Sequence, residues 1–336
     1  MHLASFSFQG HERIGTRLDD EHLVDLGAAQ AALGGQPFPA TMLELIQAGE
    51  AGLAQARSLL EAARETGRWR VPLSRVKWLP PVTRPGKICG VAMNNKASDA
   101  RKISAPSHPM FFMKPATCLI GHQEPITIRS YFGGVHPEPE LAVIIGRRTW
   151  RADPREALEA VFGYSIFNDL TGNVMRGEDM VHYYALYASA DDPDVLERRE
   201  QHLSYAARYK GSDGFGPMGP WLVTRDEPLD PDDLDVICRV GGEVIAEDST
   251  RYLTYSVAEI IAFLSRFHTL EPGDIISMGT AFKPAANAKR SLHTADLQRR
   301  QGPVEVSISG LGTLSNPVVR IEEDLGDWRL PTRPAS

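Results

Sequence analysis

HPEPELAVIIG, residues 136–146, reads as a β-strand entered through two prolines. Successive side chains of a strand point to opposite faces, so Glu138 and Glu140 share one face while Leu141, Val143 and Ile145 share the other. The first face is anionic and the second can be buried. Two carboxylates held side by side repel unless one takes a proton or a cation sits between them, and a hard divalent ion such as Mg2+ meets that need through oxygen ligands. An E-x-E pair also occurs on ordinary solvated strand faces, so further ligands are required. His136, on the same face as Glu138, is read as a partner outside the ligand set or as plain surface, because imidazole matches an oxygen-rich Mg2+ site poorly.

Downstream, VFGYSIFND, residues 161–169, is rich in aromatic and β-branched residues and reads as a buried strand ending at Asn168 and Asp169. Asp169 is either a third oxygen ligand at a strand end or a cap for the segment that follows. Lys210 opens YKGSDGFGPMGPW, a stretch with too much Gly and Pro for a helix or a central strand. There it is a solvated loop lysine or, beside a bound substrate, a fixed positive charge for a developing oxyanion.

Outward from these pieces the chain divides in two. Residues 1–78 form a small N-terminal α/β unit, with strand-like pieces ending in HLVDLGA and a helix from about Ala40 to Thr66 stopped by Gly67. The proline-rich VPLSRVKWLPPVTRPGK is an extended linker or edge strand. Residues 79–330 alternate short β-rich runs with Gly and Pro turns, interrupted by helices in VAEIIAFLSRFHTL and PREALEAVF. That pattern argues for an α+β, mostly β catalytic domain. The charged region from Glu178 to Arg208, with Tyr183, Tyr184 and Tyr187, is read as an exposed helix in preference to a lid, and AFKPAANAKRSLHTADLQRRQGP as a basic loop or a gate following Thr280.

At 336 residues, 42% hydrophobic and 24% charged, the chain can build one large core with an appended unit. A net charge of −7 without a basic stripe gives no footprint for nucleic acid. No run approaches the roughly 20 apolar residues that span a bilayer, and MHLASFSFQGHERIG lacks the apolar core of a signal peptide, so no membrane is expected and the location is read as cytoplasmic. Cys89, Cys118 and Cys238 sit in apolar, strand-like contexts, as buried thiols of a reducing compartment do. No GxSxG elbow is present, and GSDGFGPMG lacks the strand-to-helix setting of a phosphate loop.

From about Leu79 to Val319 the chain resembles the fumarylacetoacetate hydrolase family. The matching pieces, in the family's order, are PPVTRPGKICGVAMN, MFFMKPATCLIG, HPEPELAVIIG, FGYSIFNDLTGN, YKGSDGFGPMGPW, the segment around VGGEVIAEDST, LEPGDIISMGT and GLGTLSNPV. The resemblance implies a mixed β-sandwich roll that commonly dimerises, so a homodimer is expected. It implies Glu138, Glu140 and Asp169 as ligands of Mg2+ (or Mn2+ or Ca2+), Lys210 as the active-site lysine, and Gly279 and Thr280 of the GT turn at the substrate's carboxylate end. Asn94 and Asn173 are expected beside the substrate.

Two departures stand out. Where many members carry NYxxH, with the His activating water, this chain has Asn94, Asn95, Lys96, Ala97 and Ser98. A serine lacks imidazole's accessible pKa, so Ser98 cannot act as that base; Asp99 is the nearest substitute, and His108, His122 and His268 are too scattered to assign. Asn173 also stands where an Arg is usual, with Arg176 one turn beyond to supply the charge. The expected function is therefore metal-dependent chemistry on a 2-oxo or 2,4-diketo acid through an enolate, led by hydrolytic C–C cleavage of an acylpyruvate-like substrate. Isomerisation, hydration or decarboxylation of a 2-oxo acid is the alternative, and a non-catalytic metal-dependent binding protein is a third.

Overall fold

The computed structural model describes residues 1–281, 292–323, 326 and 329–331. A twelve-stranded sheet among these residues organises the chain. Its path runs Arg70–Pro72, His22–Asp25, His11–Arg17, His2–Phe8, Gly216–Thr224, Val161–Asn168, Pro139–Ile145, Ile275–Ser277, Ile88–Ala92 and Met110–Lys114, with Lys77–Trp78 and Leu119–Ile120 attached off the path. Most neighbours are antiparallel, while Ile275–Ser277 and Ile88–Ala92 run parallel. Glu243–Ser249, Asp235–Val240, Val304–Ile308 and Gly312–Asn316 form a second, antiparallel sheet of four strands. The architecture is mostly β.

The strand in HPEPELAVIIG is buried on both faces, which differs from the amphipathic strand expected. Leu141, Val143 and Ile145 join a core with the four-stranded sheet and the helix Val257–Phe267. Ala142 and Ile144, on the face of Glu140, join a second core with the helix Met42–Thr66. A buried central strand carries apolar residues on both faces, and the alternation seen in sequence holds only where the carboxylates are.

The N-terminal helix runs Met42–Thr66, with Thr41 Oγ1 accepting from the Glu44 N–H and Gly67 left-handed at φ 70° as its C-cap. Gly49 breaks its dihedrals at φ 58°. The strands before it do not stand apart: His2 and Leu3 pair with Val223 and Leu222 in the large sheet. Arg70–Pro72 closes the sheet at its edge, where proline is tolerated. The helix Val257–Phe267 carries a full capping box between Ser256 and Glu259.

Three local readings need correction. PREALEAVF shrinks to the single turn Pro154–Ala157 and a 3-10 turn, because Val161 and Phe162 are taken by the following strand. YKGSDGFGPMGPW, expected as neither helix nor central strand, begins inside the short helix Ala207–Gly211, which carries Lys210, and ends in Gly216–Thr224, a fully buried strand in the middle of the sheet. A register shift between Tyr164 and Ile166 accommodates it, so the segment around Pro220 needs no ladder donor, and Ser165 Oγ reaches the Trp221 carbonyl at 2.7 Å. The charged region read as a helix is a hairpin, Met180–Ala188 against Leu196–Ser204, turning through Asp191 to Asp194.

Candidate active site

Strand register brings the acidic residues together. Pro139 pairs with Asn168 and Glu140 with Phe167, so the start of one strand meets the end of the next. Beyond the ladder, the Glu138 N–H donates to Asn168 Oδ1 at 3.0 Å and the Asp169 N–H donates to the Glu138 carbonyl at 2.9 Å. These two bonds clamp Glu138 and Asp169 side by side. Glu140, two residues on from Glu138, turns toward the neighbouring strand end, where Ser277 Oγ, the Gly279 N–H and Thr280 Oγ1 donate to its carboxylate at 2.5, 3.0 and 3.2 Å. Gly279 holds φ 90°, and a Cβ there would lie 2.9 Å from the Val91 carbonyl, so only glycine presents that N–H. One oxygen from each of Glu138, Glu140 and Asp169 lies within 4.8 Å of the others.

Two lysines enter this anionic knot. Lys210 Nζ bridges Glu138 Oε2 at 2.8 Å and Asp169 Oδ2 at 2.5 Å. Lys114 Nζ, fully buried, takes the other Asp169 oxygen at 2.5 Å and the Phe215 carbonyl at 3.1 Å, and also donates to the Lys210 carbonyl. Burial alone would neutralise Lys210, but Asp169, Glu138 and Glu140 outweigh it and hold the ammonium charged above the ordinary lysine range. Burial likewise opposes the charge on Glu138, yet Lys210 and His136 hold it below the usual carboxylate range. Glu140 goes the other way: burial and the charge of Asp169 push it up to about 8. Two ammonium groups facing three carboxylates leave one negative charge, which a proton on Glu140 cancels. An all-oxygen set that takes up a proton for want of positive charge fits a hard divalent cation, and these three carboxylates could hold one.

His136 is buried, not surface. Its Nε2 faces Glu138 Oε1 at 3.1 Å and its Nδ1 faces Asn173 Nδ2 at 2.9 Å, so the amide leaves Nε2 to carry the proton shared with the carboxylate. Asn173 thus grips the histidine that orients Glu138. Thr171 Oγ1 adds a bond to the same oxygen at 2.9 Å. Beside the cluster opens a cleft of about 520 Å3 lined by Glu138, Glu140, Lys210, Thr280, Ser98 and Arg176, among others. Ser98 is buried, its hydroxyl 2.8 Å from Asn95 Oδ1. Asp99 lies in the 3-10 turn Lys96–Arg101, and its side chain is outside the described residues. Asn94 does not line the cleft: its amide is spent on the backbone of Tyr255 and Met278. His108 and His268 lie together against Phe263 and Phe111. His122 packs on Trp78 and is pushed down to about 4 by burial.

Residues 87–319 match the family described as fumarylacetoacetate (FAA) hydrolase C-terminal. The chain belongs to the fumarylacetoacetate hydrolase family. Among members of that family it is similar to a mitochondrial oxaloacetate tautomerase of Xenopus laevis, 30% identical over 91% of this chain and 86% of the relative. Oxaloacetate tautomerase YisK of Bacillus subtilis is also 30% identical, over 91% of this chain and 95% of its own. A solved maleylpyruvate hydrolase from Sphingobium sp., in complex with manganese(II) and pyruvate, superposes with a TM-score of 0.67 at 27% identity, covering 95% of this chain and 99% of that one. The fumarylacetoacetate hydrolase fold and an enzymatic role are thereby established.

Sequence reasoning passed over Lys114, Thr171, Ser277, His202 and His293. Lys114 had a signal: a lone charge closing the apolar run MFFMK just before a proline, at a strand end. His202 and His293 line the cleft from segments remote in sequence, and no local pattern announces them.

Proposed function

We propose that this chain is a divalent-metal-dependent tautomerase of 2-oxo acids of the oxaloacetate class, interconverting enol and keto forms through an enolate. The observation that carries the reading is the knot of Glu138, Glu140 and Asp169 around the Lys210 ammonium beside an open cleft. The tautomerase relatives support the substrate class. Glu138, Glu140 and Asp169 would hold Mg2+, with Mn2+ or Ca2+ as substitutes; when bound, the ion supplies Lewis-acid stabilisation of an enolate's negative charge. Lys210, kept charged by its carboxylate partners, donates to the same developing charge. Thr280, in the cleft wall, stands at the carboxylate next to the keto group, and Arg176 takes the distal carboxylate of a diacid.

Hydrolytic cleavage, the leading expectation from sequence, ranks second. It needs an activated water, and Ser98, buried against Asn95, offers no base where the family often has imidazole. The manganese-bound maleylpyruvate hydrolase keeps this second reading in view, and product identity separates the two: tautomerisation returns one acid, hydrolysis two. A homodimer is part of the proposal, in keeping with the family resemblance, and light scattering checks it. A reducing, cytoplasmic setting is supported by three free, buried cysteines.

The test follows enol-oxaloacetate absorbance with the Mg2+-loaded chain. Glu138→Ala and Asp169→Ala should abolish acceleration, and Lys210→Ala should lower turnover by about 10²- to 10³-fold, as loss of an oxyanion donor does. Undiminished activity in chelator-treated Asp169→Ala protein refutes the reading.

A further inference from the structure

Moving a proton between oxygen and carbon needs a group that can change charge near neutral pH. Among the described cleft residues, Glu138 and Glu140 belong to the carboxylate knot, Lys210 is held between Glu138 and Asp169, and Arg176 offers a guanidinium, which donates hydrogen bonds and accepts none. Two imidazoles remain, His202 and His293. His293 sets its ring edge against His136, centroids 5.0 Å apart, and so packs on the wall that carries Glu138. His202 arrives on the hairpin with its own support. Strand register puts His182 directly across from His202 and Glu200 across from Tyr184 on the same face. The two imidazoles stack at 3.9 Å and 11°, and His182 Nε2 meets Glu200 Oε1 at 2.5 Å. Met180 and Ser204, the next pair on that face, also line the cleft. One end of the face thus borders the site, while His182 and Glu200, each more than half exposed, border solvent.

We propose that His202 is the catalytic acid–base of the reaction and that His182, stacked on its ring and held by Glu200, is a positioning residue. The inference rests on the tautomerase reading above. In the enol-to-keto direction, neutral His202 takes the proton of the C2 hydroxyl, and the electron pair of that O–H bond becomes the second bond of the C2 carbonyl. The C2=C3 π pair then takes a proton at C3 from the imidazolium, restoring neutral His202. Nothing is oxidised or reduced, and no atom is gained or lost.

The experiment uses the full chain loaded with Mg2+, with enol-oxaloacetate absorbance and deuterium exchange into the methyl group of pyruvate as readouts, and Mn2+ binding measured in parallel. His202→Ala should lower kcat by about 10²-fold or more, the usual contribution of a general acid–base, with KM nearly unchanged. Mn2+ affinity should be that of the parent, and added imidazole should restore part of the rate. His182→Gln should lower kcat by about tenfold while retaining Mn2+ affinity, and His182→Ala should not respond to imidazole. An active parent with an equally active His202→Ala variant overturns the role of His202 alone. A His202→Ala loss that imidazole leaves unrepaired, or that comes with lost Mn2+ binding, overturns it too, because a structural role alone would then suffice. A parent inert in both assays sinks the tautomerase reading and this step with it.

Discussion

Glu140 shows how one residue can store information about an ion. Its carboxyl, held up to about 8 against an ordinary 4.5, keeps a proton in the folded protein that the unfolded chain has already lost. Between those values the folded state binds more protons, so the metal-free protein loses stability as pH rises through the window. His122, pushed from 6.5 down to about 4, acts in the opposite sense, but only below 6.5. Between 6.5 and about 8 the slope follows Glu140. A cation replacing the proton should release it: calorimetry of Mg2+ binding in buffers of different ionisation enthalpy should show close to one proton displaced per ion near pH 7, falling toward zero above about pH 8. Glu140→Gln should displace none. At this scale the sequence was partly legible. Strand periodicity and a strand-end Asp were enough to nominate three carboxylates, since both are local properties. That Glu140 is buried and Glu138 partly exposed, that Lys114 backs Asp169, and that Asn94 faces the backbone depend on pairings across 55 to 184 residues, which no local pattern records.

The hairpin Met180–Ala188 and Leu196–Ser204 is the element that sequence misjudged. Tyrosines, leucines and charges fall on both of its faces, so neither a helical nor a strand period emerges, and the DDPD turn was the one usable sign. The strand Gly216–Thr224 failed for a related reason: its prolines argue against a central position unless a register shift frees them, and register is a property of the partner strand. By contrast, the helices Met42–Thr66 and Val257–Phe267 carry their caps in their own sequence and were readable. Because most hairpin residues are exposed and none joins either core, excising residues 181–203 and closing Met180 to Ser204 through a short Gly-Ser turn should leave thermal unfolding within a few degrees of the parent. Turnover should nevertheless fall by about 10²-fold or more, because His202 leaves with the ribbon. A large drop in melting temperature would mean that the ribbon is structural.

For the whole molecule, residues on both sides of position 78 share one sheet and one core. The strand His2–Phe8 hydrogen-bonds the strand Gly216–Thr224, and Met1 reaches Glu227 through its terminal ammonium at 2.7 Å. Leu45, Ile46, Leu53 and Leu59 of the long N-terminal helix share a core with Ala142, Ile144, Phe162 and Ile275 of the site-bearing strands. That core covers one face of the strand carrying Glu140, so the helix supports the rigidity on which the carboxylate spacing depends. Each large apolar side chain exposed by its removal costs roughly 1.5 to 3 kcal/mol, several times over the whole face, against total stabilities of about 5 to 15 kcal/mol. The full chain should therefore unfold in a single calorimetric transition, and a chain starting at residue 79 should fail to give a cooperative one or a Mn2+ site. If the truncated chain instead melts cooperatively and binds Mn2+ with parental affinity, residues 1–78 are a separable domain, and the ordering of Glu138, Glu140 and Asp169 is owed to the two clamped strand ends alone.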